Sequence, residues 1–236
     1  MFADPLYMIV AFAGMALIFL PQLLIKSTFE KFSKVKASKN VTGAEVARAI
    51  LAGAGITDVN VVSTPGELSD HYDPSQKIIR LSEKIYHGNS VAAYGVAAHE
   101  VGHAIQDYQG YLPMKLRTGI LPAVQAGQML GPILLMAGIG LRAFMGIGGF
   151  TDLIALLGIV LYGSVVLFHI VTLPVEFNAS SRAIKALASG GYVTESEIGS
   201  SKKVLFAAAL TYVAVALYAL MELLYWIWVL FGRNRD

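Results

Sequence analysis

Four stretches of this sequence are too long and too apolar to sit inside a small soluble core, and they dictate the architecture. A helix that crosses a bilayer needs roughly 20 predominantly apolar residues. Residues 6–25, 119–141, 150–173 and 204–230 each reach that length. Over the 236 residues, hydrophobic types make up 56% and charged types 14%, against about 25% charged in ordinary globular domains. Lipid must cover much of such a chain, so the bilayer is its first expected partner. The first stretch is preceded by Asp4 and by no basic residue, unlike the basic start of a cleaved signal peptide, and reads as a retained span. Residues 142–149 form a short Gly-rich link, so the second and third spans should make a hairpin. The fourth ends in Tyr225, Trp226 and Trp228, aromatic residues suited to a headgroup boundary.

Residues 26–118 are of a different kind. Between Lys26 and Arg117 lie 11 of the 18 Lys and Arg and 9 of the 16 Asp and Glu. Thr42 followed by Glu45 is a capping-box pattern that opens a helix running to Ala52, with Gly53 and Gly55 ending it. Residues 59–62 and 77–81 read as short strands flanking a turn at Asp73-Pro74-Ser75-Gln76. Asn89 or Ser90 can cap a helix over 91–108. The expected fold is therefore a mainly α membrane protein, with four transmembrane helices and a small α+β domain inserted between helices 1 and 2. A further helix is expected to start at residue 174 and occupy 174–203.

Charge sets the expected orientation. Lys26, Lys31, Lys34, Lys36 and Lys39 follow the first span, and Arg182, Lys185, Lys202 and Lys203 lie between the third and fourth. By the positive-inside rule both regions face the cytoplasm, which makes the chain a multi-pass cell-membrane protein with its polar domain inside. Arg233 and Arg235, after the fourth span, pull against this assignment. A formal net charge of +2 gives no reason to expect a nucleic-acid partner.

The chemistry concentrates in His99-Glu100-Val101-Gly102-His103. Histidines four apart project from one helix face and can share one zinc ion, while Glu100 beside them can take a proton from water. The neighbours Val96, Ala97, Ala98, Ala104 and Ile105 describe a buried helix, in which an unpartnered glutamate would be costly. There is no cysteine, so any further ligand is His, Asp or Glu. Zinc in hydrolases takes three protein ligands. Glu176, just past the third span, is the best candidate for the third. It reads equally well as a first-turn glutamate stabilised by its helix dipole. His71, Arg182, His169, Glu222, Gln125 and Gln128 are lesser candidates for touching substrate, stabilising an oxyanion or joining spans. Glu222 is expected at the interface beside Tyr225 and Trp226.

Several stretches together carry a family resemblance. They are Leu68-Ser69-Asp70-His71-Tyr72-Asp73-Pro74, Arg80-Leu81-Ser82, the run from Ser90 through His99-Glu100 to Gln106, and Val175-Glu176-Phe177-Asn178-Ala179-Ser180. The chain resembles the bacterial and archaeal neutral zinc metallopeptidases of membranes. More distantly it is similar to the stress-induced and prenyl-protein membrane zinc proteases. The resemblance implies a zincin-like catalytic domain and makes Glu176 the third zinc ligand, since those relatives place it in a Glu-x-x-x-Asp motif. The Asp of that motif, which supports a zinc-binding histidine, falls on Ser180 here, so its role is either weakened or taken by another residue.

The expected function is zinc-dependent hydrolysis of protein or peptide substrates near the cytoplasmic membrane surface. His99, His103 and Glu176 would hold Zn2+, Glu100 would act as the base, and a strand such as 59–62 would receive extended substrate. The alternatives are an intramembrane-cleaving zinc protease and a non-catalytic zinc-binding scaffold. The first needs HExxH inside a long apolar span, whereas the apolar run before His99 covers only 91–98. The second needs no glutamate at position 100.

Overall fold

The computed structural model describes residues 4–146 and 148–232. Arg233 and Arg235 lie outside the described residues, as does Ile147 in the expected hairpin link. The described chain is mostly helical, with one small sheet. Its elements are α1 (Pro5–Ser33), α2 (Gly43–Gly53), β1 (Asn60–Thr64), β2 (His71–Asp73), β3 (Ile78–Ser82), α3 (Glu83–Tyr86), α4 (Val91–Tyr108), α5 (Leu112–Met145), α6 (Phe150–Ser189) and α7 (Glu195–Phe231). Among them, α1, α5, α6 and α7 are long and apolar enough to cross a membrane. The chain divides into two compact units, each with its own apolar core.

One unit takes residues up to 20, 116–172 and from 212 onward. Small residues let α5 and α6 touch through their backbones, as membrane helices do where no water drives them together. A Cβ at Gly138 would stand 2.5 Å from Ala155 N. Ile9, Phe12, Phe19 and Leu20 point outward, as side chains facing lipid should. Arg142 Nη1 donates to Asp152 Oδ1 at 2.7 Å across the α5–α6 link. Glu222 is not simply an interfacial anchor, because Tyr162 Oη donates to its Oε2 at 2.7 Å, from α6 to α7. Gln125 and Gln128 are exposed on α5 rather than set between helices.

The other unit takes 21–115 and also 173–211. The polar segment after the first span is thus not a compact body by itself. Val175, Ala183, Leu187, Val204, Leu205 and Ala207 share its core with Val46, Ile79, Leu81 and Tyr94. The helix expected to begin at residue 174 does not begin there. Pro174 sits inside α6, which continues to Ser189, and α7 starts at Glu195. An interior proline costs roughly 3 kcal/mol, and the buried side chains of Val175, Ala179, Ala183 and Leu187 beyond it offset that cost.

Local signals place the rest. Thr42 Oγ1 accepts from Glu45 N, and Glu45 Oε2 accepts from Thr42 N at 2.6 Å, completing the capping box of α2. Ser90 Oγ accepts from Ala93 N at 3.1 Å and caps α4. The sheet order is β1-β3-β2, with β1 parallel and β2 antiparallel to β3. Strand β2 is three residues long and follows no visible alternation, so the sequence does not announce it. It is nevertheless fastened to α4, because Tyr72 Oη donates to Asp107 Oδ2 at 2.7 Å and Lys77 Nζ donates to the same oxygen at 2.5 Å.

Candidate metal centre

Small side chains make α4 the buried axis of its unit. Ala92, Ala93, Ala97, Ala98, Val101 and Ala104 are almost fully enclosed. At Gly102 the helix meets α6 directly, and an added Cβ would lie 2.6 Å from Ala179 O. That close approach brings His99 and His103, one turn apart on α4, up to Glu176 on α6. Glu176 Oε2 is 3.3 Å from His99 Nε2 and 3.6 Å from His103 Nε2. The ligand atoms of the three residues lie within 4.8 Å of one another, and Glu176 is 2% exposed.

These separations fit a metal. Zinc–ligand bonds of about 2.1 Å in a tetrahedron put ligand atoms about 3.4 Å apart. Two imidazole nitrogens and one carboxylate oxygen are also the donor set zinc accepts, with one position left over. Glu176 stands in the middle of α6, which removes the reading of it as a first-turn dipole partner.

The remaining ring nitrogens are held as ligand histidines require. His103 Nδ1–H donates to Gln106 Oε1 at 3.0 Å. Gln106 is fully buried, and its Nε2 donates to Val175 O at 2.8 Å and Asn178 Oδ1 at 2.9 Å. His99 Nδ1 is 3.1 Å from Ser180 Oγ, so the serine stands where the resemblance implied a supporting aspartate. Both Nε2 atoms are thereby turned toward Glu176. Gln106 is the residue the sequence reading overlooked. Its position three residues after His103, on the buried helix face that carries both histidines, is the signal that could have found it.

Electrostatics follow from burial. Burial pushes the Glu100 carboxyl above its ordinary range; the neighbouring histidines pull it back, while Glu176 and Asp70 add to the rise. Burial alone would lower His103, but its hydrogen bond to Glu176 and the charges of Glu100 and Glu176 carry it upward. Burial would likewise raise Glu176, and the bonds from His103 and His99 outweigh it and hold the group well below the usual carboxylate range.

The lesser candidates fall elsewhere. His71 is exposed on β2, with Nδ1 2.8 Å from Ser69 O. Arg182 is committed to a network: its Nε donates to Asn178 Oδ1 and its Nη1 to Gln109 Oε1, each at 2.7 Å. It therefore braces the partner of Gln106. His169 and Glu222 belong to the other unit. The outer edge of β1 is partly taken, since Val61 O accepts from Arg48 Nη2 at 3.1 Å, which obstructs the expected pairing of substrate along 59–62.

A helical membrane chain that sets an HExxH turn against a glutamate from a later helix has the build of a membrane zinc metallopeptidase. The comparisons agree. A family model described as "Putative neutral zinc metallopeptidase" matches residues 7–231, and the chain belongs to that family. It is 45% identical over 231 residues to "Putative membrane protease YugP" of Bacillus subtilis (strain 168), covering 98% of this chain and 99% of the relative. No solved structure matches it.

Proposed function

We propose that the protein is a zinc-dependent membrane endopeptidase that cleaves protein or peptide substrates near the cytoplasmic membrane surface. The observation that carries this reading is the convergence of His99, His103 and Glu176 around a point beside buried Glu100. Those three residues would hold the ion, and bound zinc supplies Lewis acidity toward a carbonyl and toward water. Gln106 and Ser180 fix the two imidazoles with Nε2 facing inward, so the donor set needs little rearrangement. Glu100, raised by burial, is suited to take a proton from the attacking water and to return it to the leaving amine. A scaffold that only bound metal would gain nothing from burying a carboxylate at that position.

The cytoplasmic assignment is supported by the lysines after the first span and by Arg182, Lys185, Lys202 and Lys203. In this reading the zincin-like catalytic domain is built on residues 26–118, and 174–203 supplies the third ligand. Glu100→Gln tests the mechanism. Purified Glu100→Gln should keep its zinc and lose casein or peptide cleavage. Activity within tenfold of wild type would remove Glu100 from the proposed chemistry.

A further inference from the structure

A groove of about 630 Å³ runs between α6 and α7, from Phe177 and Phe206 to beyond Lys185 and Lys202. We propose that it holds one anionic phospholipid, with the headgroup on Lys185 and Lys202 and an acyl chain against Phe177, Ile184, Leu205 and Phe206. The proposal rests on the membrane reading above and is independent of catalysis.

Three observations point to this occupant. First, the groove sets two lysines in its outer half, with Ala188 and Ile198 beyond them, and two phenylalanines in its inner half. Phe177 and Phe206 line it and are 45% and 60% exposed, costly in water and unremarkable against acyl chains. Second, the order along both helices is correct for a lipid. Phe177 comes four residues after the expected end of the third span, and Lys185 is about 12 Å further along the helix. Lys202 precedes Phe206 by about 6 Å, where the fourth span begins. Both ammonium groups thus sit outward of the rings, and lysine stems lie along apolar surface while their heads reach a headgroup. Third, the charge is complementary. Among the described residues no carboxylate lines the groove, and Glu197, beside the lining Ile198, instead accepts from Ser38 N at 2.6 Å and from Thr194 N at 2.7 Å. An acidic peptide would satisfy the lysines too, but it would have to displace acyl chains from the aromatic end, which the bilayer supplies in excess.

The test uses zinc-loaded full-length protein in detergent, mixed with equal amounts of dioleoyl phosphatidylglycerol and dioleoyl phosphatidylcholine. Bound lipid is counted by native mass spectrometry. Wild type should hold one phosphatidylglycerol in preference to phosphatidylcholine by about tenfold or more. Lys185→Glu with Lys202→Glu should lose the preference, and Ser181→Trp, which fills the groove from an exposed position, should lose both lipids. Lys31→Glu with Lys34→Glu, the same charge change at the end of α1 and just past it, should keep the preference. Zinc content equal to wild type verifies that each variant is folded. Equal binding of the two lipids by wild type would overturn the proposal. So would a preference that survives reversal of Lys185 and Lys202, or one lost equally on reversal of Lys31 and Lys34. An acidic apolar peptide that binds the groove and resists displacement by phosphatidylglycerol would reassign the site to peptide.

Discussion

Gly102→Ala should damage the metal centre more than it damages the fold. An alanine Cβ at 102 would stand 2.6 Å from Ala179 O, whereas ordinary contact begins at 3.4 Å, so α4 and α6 must part there by about 0.8 Å. The next atoms, Ala179 C and Cα, both at 3.1 Å, are also backbone and leave no flexible side chain to yield instead. Glu176 and Ser180 ride on the displaced turn, so Glu176 Oε2 would move off its 3.3 and 3.6 Å positions from the histidines. Overpacking of this kind costs roughly 1–3 kcal/mol, and the better helix propensity of alanine returns about 1 kcal/mol. The net destabilisation is roughly 0–2 kcal/mol, whereas a misplacement near 1 Å costs about a hundredfold in rate. Zinc content by plasma mass spectrometry, peptide cleavage and a melting curve, all on purified protein, separate the two effects. Gly199→Ala is the control. It makes the same chemical change inside α7 with nothing within 4 Å, and should stabilise slightly with zinc and rate intact. A Gly102→Ala protein with wild-type zinc and a rate within threefold would refute the argument that this contact sets the ligand geometry.

Glu176→Ala should lose most bound zinc and all hydrolysis, while His71→Ala and His169→Ala retain the metal; full zinc occupancy in Glu176→Ala would sink the ligand assignment. Gln106→Leu, which removes the acceptor for His103 Nδ1–H while keeping an apolar volume, should weaken zinc binding by about 10–100-fold, read by competition with a chelating dye. Unchanged affinity would mean that His103 is oriented by packing alone. The absence of native cysteine permits a topology test with single cysteines at Ser38 and Gly148. In intact cells an impermeant maleimide should label position 148 and not 38, and the reverse pattern would move the candidate active site to the outer face.

What the sequence disclosed depended on how local the determining physics is. The α4 helix was legible to the residue, because a serine cap, a run of small apolar residues and the histidine spacing are all written within 91–108. The four apolar helices were legible from length and composition, although α1, α5, α6 and α7 all extend beyond the stretches that gave them away. Pro174 misled for a specific reason. A proline after an apolar run signals a helix start, and only the packing of Val175 and Ala179 against distant parts of their unit carries α6 through it. Strand β2 was missed because three residues cannot display a two-residue period; its place is secured by Tyr72 reaching Asp107, 35 residues away.

The site divides along the same line. Two candidate ligands and the candidate base follow from a pentapeptide, but Glu176 is 77 residues from His99, and chain order alone left it balanced against a dipole role. The dipole role falls away because Glu176 lies well inside α6, and its carboxylate is buried beside two imidazole nitrogens in a group that could hold a metal. Ser180 and Gln106 show why residue type was a poorer guide than position. A serine where the resemblance implies an aspartate put the support of a histidine in doubt, yet its hydroxyl lies 3.1 Å from His99 Nδ1. The stronger restraint passes to the other histidine, through a buried glutamine anchored on Val175 O and Asn178 Oδ1, both on α6. The turn of α6 that presents Glu176 therefore also steadies the ring of His103. A change that loosens α6 from α4 must disturb ligand and orienting group together.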